Sequence, residues 1–332
     1  MRGFLTVVAV LAILWSGWWG AASYLAASSV RAWFDDQARF GRMAGHDGVA
    51  MAGFPRWVSL RLENPYLANP FIGLSWAASG MELRATLHPP VRLEARLPQR
   101  QTVRLPDGTV AELHSENAHA SARLAGLDLR LDQAELTGSG VVLTTNGQAG
   151  AAVQAFGLRL RAEDGAPARY RVVLELEGLD GPSPAGPLPA RAELLALAGA
   201  ATLSAPLDRH LDSRPAPPSV EAIDIDALRL VWGRVELEAK GGVQADAQGL
   251  AEGRIDLRIG HWRDLLAAAV AMGALDPEIA DTWERALKMI AAEDAQAAAE
   301  DALVTALTFR SGRMRIGPLP IGPAPRLGPP GQ

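Results

Sequence analysis

The sequence predicts a mainly β fold: a curled antiparallel sheet or half-barrel with a C-terminal helical segment, preceded by an N-terminal transmembrane helix. Three patterns lead to this prediction, namely an uncharged run over residues 4–27, alternation of apolar and polar residues between residues 58 and 259, and helical spacing after residue 276. Alternation with a period of two turns one set of side chains to a core and the other to water, which is typical of antiparallel sheets. The 332 residues suffice for one large domain or two of ordinary size.

The uncharged run is long enough to cross a membrane. A helix of about 24 residues spans about 36 Å, and the hydrocarbon core of a bilayer is about 30 Å thick. Arg2 precedes the run, and a positive charge there favours an N-terminus on the cytoplasmic side. We therefore expect residues 1–27 to form a single-pass signal anchor, with the bulk of the chain on the non-cytoplasmic side.

Aromatic residues cluster in the second half of this run. Rings of Trp and Tyr prefer the membrane interface, so we expect four side chains to lie there: Trp15, Trp18, Trp19 and Tyr24. The alternative is a cleaved signal peptide with an apolar region over residues 4–14 and a cleavage site near residues 26–28. Both interpretations export the rest of the chain, and the aromatic cluster favours the uncleaved anchor.

Residues 28–45 are predicted to continue as a helical stalk. Side chains recur near the helical period at Val30, Trp33, Phe34, Gln37 and Phe40. The stalk either packs onto its own domain or lies on the membrane as an amphipathic helix. The acidic pair Asp35 and Asp36 argues against attraction to anionic lipid.

The strands are expected in a domain that spans residues 46–316. Alternation and turn signals predict strands at residues 58–62, 81–87, 91–97, 103–105, from 110, 127–131, 141–145 and 170–176. A meander follows over residues 223–259, where glycines inside the strands indicate bulges or bends that curl a sheet. Residues 191–207 fit either a helix or a strand.

A helical insertion is predicted at about residues 261–302. Asp276, Pro277 and Glu278 have the pattern of an N-cap, a first-turn proline and an acidic first turn. The Ala-rich sequence after them predicts a helix to about residue 302, and residues 265–274 suit a shorter helix. A hairpin with its turn at Ser311 and Gly312 follows, and the Pro/Gly-rich tail, residues 317–332, is predicted to be extended or disordered.

Composition and motifs argue against several function classes. The net charge of −5 argues against a nucleic-acid partner, which requires a basic face. The chain has no cysteine, which excludes disulfides, thiolate metal sites, a Cys nucleophile and a lipidated cysteine. No metalloprotease, nucleophile-elbow, Walker or dinucleotide motif occurs in the sequence. We therefore expect a protein that is not an enzyme, with no catalytic, cofactor or metal site.

Three groups of residues were nevertheless considered as sites. His114 and His119 come closest to a metal pair, but their odd separation on a strand would put them on opposite faces. Asp224 and Asp226 share a strand face and could perturb each other's titration, although an ordinary solvated face is the simpler interpretation. Five tryptophans could line an apolar groove or fill a core: Trp57, Trp76, Trp232, Trp262 and Trp283.

Several short motifs resemble domain-of-unknown-function family 2125, whose members are anchored envelope proteins of alphaproteobacteria. The motifs are Trp18-Trp19, Val30-Arg31-Ala32-Trp33, Gln37-Ala38-Arg39, Gly53-Phe54-Pro55, residues 60–65, residues 67–70, Trp76, and residues 228–232, 249–257 and 308–325. Arg56 and Trp57 depart from the pattern, which has an apolar residue before the arginine. The resemblance implies a periplasmic domain held in the cell inner membrane, and it transfers no catalytic residue to this chain.

The repeated strand-turn-strand pieces and the terminal hairpin, residues 309–318, are also similar to AsmA-like proteins. Those are membrane-anchored β-rich envelope proteins linked to lipid movement and outer-membrane homeostasis. The resemblance implies a protein that binds or passes a lipid or another amphipathic molecule in envelope maintenance, with the inner membrane, lipid and other envelope proteins as partners. The alternatives are an envelope scaffold that docks proteins and, less in keeping with the sequence, a hydrolase with an unrecognised site.

Overall fold

The computed structural model describes residues 28, 31–32, 34–37, 41–52, 57–71, 73–86, 91–181, 186–211, 214 and 218–328. These residues contain twenty strands of one antiparallel sheet that does not close on itself, and three helices between residues 262 and 299. The mainly β, antiparallel prediction is therefore confirmed. The predicted transmembrane helix and its interfacial aromatic residues lie outside the described residues. In the part of the chain that is described, no helix is both long and apolar enough to cross a bilayer.

The chain divides into two compact units. The first consists of Met1–Leu129 and Leu136–Gly150, and the second of Arg130–Glu135 and Ala151–Gln332.

Ten short strands and most of a long one, β11, form two antiparallel ladders in the first unit. Their bounds are β1 Met43–Gly45, β2 Gly48–Ala52, β3 Trp57–Glu63, β4 Tyr66–Asn69, β5 Leu74–Ala78, β6 Gly80–Thr86, β7 Val91–Arg96, β8 Arg100–Arg104, β9 Val110–His114, β10 Asn117–Ala125 and β11 Arg130–Thr145. One ladder runs β2-β3-β6-β7-β10. The other runs β1-β4-β5-β8-β9-β11.

The core of the first unit follows the predicted alternation. Val58, Leu60 and Leu62 on one face of β3 are all buried. The described residues between 28 and 37 are helical, and two of them, Phe34 and Gln37, are buried as well. This helical segment therefore packs onto the unit, and β1 begins at Met43, before the predicted end of the stalk at residue 45.

The prediction of a strand at residues 127–131 is wrong. Leu127 is 91% exposed, and residues 126–129 form the turn between β10 and β11. Gly126 and Leu129 have φ angles of +70° and +49°, which a strand cannot accommodate. Leu-x-Leu spacing does not reveal this turn, because the exposed leucine keeps the alternating pattern.

A meander of nine strands builds the second unit, of which all but the last two are nine or more residues long. Its strands are β12 Gln148–Glu163, β13 Ala166–Asp180, β14 Arg191–Leu203, β15 Val220–Trp232, β16 Val235–Ala245, β17 Ala251–Gly260, β18 Ala302–Arg310, β19 Arg313–Ile316 and β20 Leu319–Pro323. Each pairs with the next along the chain. The ambiguous segment is thus the strand β14, whose backbone groups are satisfied by partners on both sides.

The helical insertion lies between the paired strands β17 and β18 and contains α1 Trp262–Ala271, α2 Pro277–Ala291 and α3 Ala295–Ala299. Asp276 caps α2 as predicted, since its side chain accepts a hydrogen bond from the Glu278 N–H over 2.9 Å. The prediction of one helix to about residue 302 is wrong. Asp294 caps a separate short helix, and the chain joins the sheet at Ala302 because pairing with β17 outweighs the helix propensity of alanine.

The C-terminal hairpin is confirmed, with its turn at Ser311 and Gly312 between β18 and β19. The tail is not simply extended or disordered. Residues 319–323 pair with β19 as β20, Leu250 and Arg326 form an isolated antiparallel bridge, and Ala324 is buried. These pairings give the Pro/Gly-rich segment an ordered place at the end of the sheet.

Candidate functional site

Large apolar side chains occupy one face of four neighbouring strands in the second unit. Paired residues of antiparallel strands project to the same face, and the register puts Leu158, Leu174, Leu197 and Leu228 in one row. The rows on either side are equally apolar. Together they form the aliphatic strip: Phe156, Leu158 and Leu160 in β12, Val172, Leu174 and Leu176 in β13, Leu195 and Leu197 in β14, and Ile225, Leu228 and Leu230 in β15.

The aliphatic strip lies outside both packed hydrophobic clusters that the described residues form. One cluster packs helices α1 and α2 against Leu237, Ile259 and Leu303, and the other packs the C-terminal segment against Phe309. Every side chain of the strip is half-buried. None of the strip's side chains is fully exposed, but a contiguous apolar set of this size outside the packed clusters is a candidate site of interaction.

The opposite face of the same strands is charged. Arg169 contacts Asp224 over 2.9 Å and Glu163 over 2.7 Å, and these hydrogen bonds raise the pKa of its guanidinium. Further pairs on this face are Arg171–Asp226, Arg254–Asp256 and Arg258–Glu300. The sheet is therefore amphipathic, since water satisfies the charged face while the aliphatic strip requires an apolar neighbour.

A line of glycines and a bulge crosses the apolar face beside the Leu158 row. Gly199 in β14, the bulge between Ile225 and Leu228 in β15, and Gly241 in β16 lie at corresponding positions in neighbouring strands. Bulges and interior glycines bend a strand and raise its local twist. Their alignment in register concentrates these bending features at one line across the sheet.

The five candidate tryptophans do not form one group. Trp57 in β3 and Trp76 in β5 belong to the first unit, where the Trp76 indole donates to Gln101 Oε1 over 3.0 Å. The other three lie in the packed cluster beneath the helices: Trp232, Trp262 and Trp283. Trp262 is 3% exposed, and the Trp232 indole donates to the Pro189 carbonyl oxygen over 2.7 Å. These three tryptophans fill the core under the helical insertion.

The titratable candidates occupy different elements. His114 lies in β9 and His119 in β10, and the described residues contain no group of three His, Asp or Glu that could hold a metal. Asp224 and Asp226 each contact a different arginine. His261 lines a polar pocket of about 170 Å³, whose described lining residues include no hydroxyl group. Its Nδ1 lies 3.3 Å from the carboxylate of Asp301, which is not among those lining residues. This pocket therefore offers no Ser, Thr or Cys nucleophile.

The family model for an uncharacterized protein conserved in bacteria, DUF2125, matches residues 18–325. The chain belongs to this family. No curated protein and no solved structure matches the chain.

The aliphatic strip of this DUF2125 protein was only partly foreseeable from the sequence. Alternation in β13 and β15 was recognised, but β12 was not predicted, although Phe156, Leu158 and Leu160 alternate with Arg159 and Arg161. From the sequence, the tryptophans are the candidates for an apolar groove because they are the largest apolar residues. The aliphatic residues remain half-buried instead, because none of them belongs to the cluster that the helices cover, although Trp232 at the end of β15 does.

Proposed function

We propose that this DUF2125 protein binds the hydrocarbon part of a lipid or similar amphipathic molecule on the aliphatic strip, while its N-terminal segment holds it at a membrane. The proposal rests on one observation above all. Eleven large apolar side chains are aligned on four paired strands and remain half-buried, outside both packed clusters of the described residues.

The dimensions of the strip suit a hydrocarbon chain. Four strands about 4.8 Å apart and three alternate positions along a strand give a surface of about 14 Å by 14 Å. Burial of a methylene group contributes about 0.8 kcal/mol, so several methylene groups laid across the strip give substantial affinity. The strip contains no charged or hydrogen-bonding side chain, which supports an occupant that is apolar where it touches the sheet.

The line formed by Gly199, the β15 bulge and Gly241 favours a trough over a flat surface. Gly199 and Gly241 lack side chains on the apolar face, so the sheet can bend toward that face without crowding. Such a bend shields an apolar occupant from water, while the ion pairs on the other face remain hydrated. The anchor would keep the trough near a source of lipid, and the bound molecule would expose its polar end.

Lipid analysis of the purified full-length chain tests this proposal. We expect protein extracted in mild detergent to retain lipid, detected by native mass spectrometry, and to be labelled by a fatty acid that carries a photoreactive diazirine. Leu174→Asp should lower labelling at least fivefold, because it puts a charge in the middle of the strip.

A matched control lies next to it in the same strand. Val173 is 40% exposed on the charged face, so Val173→Asp should leave labelling unchanged. Circular dichroism and thermal unfolding would verify that both variants fold. Equal labelling of the two folded variants, or wild-type protein without lipid, would refute the proposal.

A further inference from the structure

A second apolar surface, far smaller than the aliphatic strip, lies at the end of the β1-β4-β5-β8 ladder in the first unit. Four exposed side chains define it as the apolar tip: Met43 at 59%, Phe71 at 80%, Leu74 at 39% and Leu105 at 38% exposure. They come from the starts of two strands, β1 and β5, and from two turns. Large apolar residues grouped at the ends of strands serve no purpose in the core of this unit.

The backbone brings these residues together. Met43, Ala68, Ser75 and Arg104 pair in one row across the ladder. Leu74 and Leu105 are the sequence neighbours of Ser75 and Arg104, so they lie at the same end of the ladder as Met43 but on its opposite face. The β4–β5 turn holds Phe71 beside Gly41. A Cβ atom on Gly41 would lie 2.6 Å from Cε2 of the Phe71 ring. The same turn touches the β8–β9 turn, since a Cβ atom on Gly73 would lie 3.1 Å from Pro106 Cα.

The position of the tip along the chain indicates what it contacts. Gly41 and Met43 follow directly on the helical segment around residues 28–37, and the uncharged run over residues 4–27 precedes that segment. Ten residues of helix span about 15 Å, so an anchor in the bilayer keeps the tip close to the headgroup layer. An exposed aromatic ring with aliphatic neighbours is suited to that layer.

The charges at the tip agree with this placement. Arg42 and Arg104 flank the apolar residues and are exposed, which favours anionic headgroups at the tip itself, whereas Asp35 and Asp36 in the preceding helical segment do not. One acidic residue, Asp107, lies in the β8–β9 turn, where a hydrogen bond from the Thr109 N–H lowers the pKa of its carboxyl group. This carboxylate limits how deeply the β8–β9 turn can enter, whereas the β4–β5 turn carries Phe71 without a charge.

We propose that the apolar tip inserts into the bilayer interface beside the anchor and so sets the orientation of the first unit on the membrane. The inference rests on the anchor that is part of the proposed function, but it does not depend on lipid in the aliphatic strip. Two attachments, the anchor and the tip, restrict rotation of the domain, which a single helix would leave free.

The absence of native cysteine permits a direct test on the full chain. Single variants Phe71→Cys and Leu105→Cys are labelled with the fluorophore NBD and reconstituted in phosphatidylcholine vesicles that contain phosphatidylglycerol. We expect blue-shifted emission and at least twofold quenching by brominated lipid at both positions. Leu127→Cys is the matched control, because Leu127 is 91% exposed in another turn of the same unit, and it should show neither effect.

Flotation of the vesicles separates this inference from the anchor. If the protein floats with the vesicles but position 71 is quenched no more than position 127, the tip proposal is overturned while the anchor stands. Blue-shifted emission without quenching by brominated lipid overturns it as well, since this indicates a protein contact. If wild-type protein does not float with the vesicles, the anchor is absent and the tip proposal is overturned with it. This holds whatever the outcome of the lipid-labelling experiment on the aliphatic strip.

Discussion

The main chain of Gly241 in β16 runs so close to Arg254 in β17 that a Cβ atom on the glycine would lie 2.2 Å from the Arg254 carbonyl oxygen. The φ angle of Gly241 is +146°, which side chains of L residues rarely adopt. Gly241 also belongs to the line of glycines and bulges across the apolar face. The close approach of the two strands therefore depends on the absence of a side chain at this position.

We predict that Gly241→Ala destabilises the protein by about 2–4 kcal/mol, because it combines backbone strain with a steric clash. Urea unfolding monitored by circular dichroism measures the change. Gly157→Ala in β12 is the matched control: a Cβ atom there would meet no atom within 4 Å, so the change should be neutral or stabilising by up to about 1 kcal/mol. Equal stabilities of the two variants would contradict the role given to Gly241.

Burial of Trp262 leads to a second prediction. It is 3% exposed in the cluster beneath the helices, so Trp262→Ala should lower the free energy of unfolding by about 3–5 kcal/mol through lost burial and a residual cavity. Met289 in α2 provides the control, since its side chain is 69% exposed. Met289→Ala should change the free energy of unfolding by no more than about 0.5 kcal/mol. A small effect of Trp262→Ala in the same assay would show that this tryptophan does not hold the helices on the sheet.

The turn between β11 and β12 supports a third prediction. Asn146 and Gly147 have φ angles of +50° and +77°, and Asn146 Oδ1 accepts a hydrogen bond from the Val110 N–H over 2.9 Å. Asn146→Ala should therefore destabilise the protein by about 2 kcal/mol, through left-handed strain and the lost bond. Asn146→Gly removes only the hydrogen bond from the Val110 N–H and should lower the free energy of unfolding by about 1 kcal/mol. Thermal unfolding measures both variants. If Asn146→Gly unfolds at a lower temperature than Asn146→Ala, left-handed strain does not contribute as proposed.

The ion pair between Asp180 and Arg191 predicts a dependence on pH. Both oxygens of Asp180 accept hydrogen bonds of 2.7 Å from Arg191, which lower the pKa of the carboxyl group from its ordinary value of 3.8. The folded state therefore releases this proton more readily than the unfolded chain does. The pair stabilises the fold above pH 3.8, and this contribution is lost as the pH falls through the lowered pKa.

Asp180→Asn should therefore flatten the decline of stability on acidification below about pH 4, measured as urea midpoints between pH 7 and pH 3. Arg191→Gln removes the cause of the shift and should flatten the same part of the profile. If the wild type and both variants lose stability in parallel over this range, the pair has no role in acid sensitivity.

Local patterns were sufficient wherever neighbouring residues decide the structure. The Asp276-Pro277 start of α2 and the Ser311-Gly312 hairpin both appeared where the sequence predicted them, because caps and tight turns depend on a few adjacent residues. Segments whose conformation depends on a distant partner were less predictable. The sequence of β14 fits a helix as well as a strand, and the segment of β20 is predicted to be extended or disordered. Pairing with neighbouring strands decides the conformation of both.

Local patterns in the sequence are enough to show that the chain is mainly antiparallel β, which residues of a strand share a face, and where an uncharged run of membrane-spanning length lies. Tertiary structure alone decided which apolar faces are covered. Trp262 and Leu174 are both apolar residues in well-patterned elements, yet the helices bury the first and leave the second half-exposed. Alternation specifies the face of the sheet to which a side chain points. Whether that side chain is buried depends on which distant segment packs on that face, and such a contact leaves no periodic pattern in the sequence.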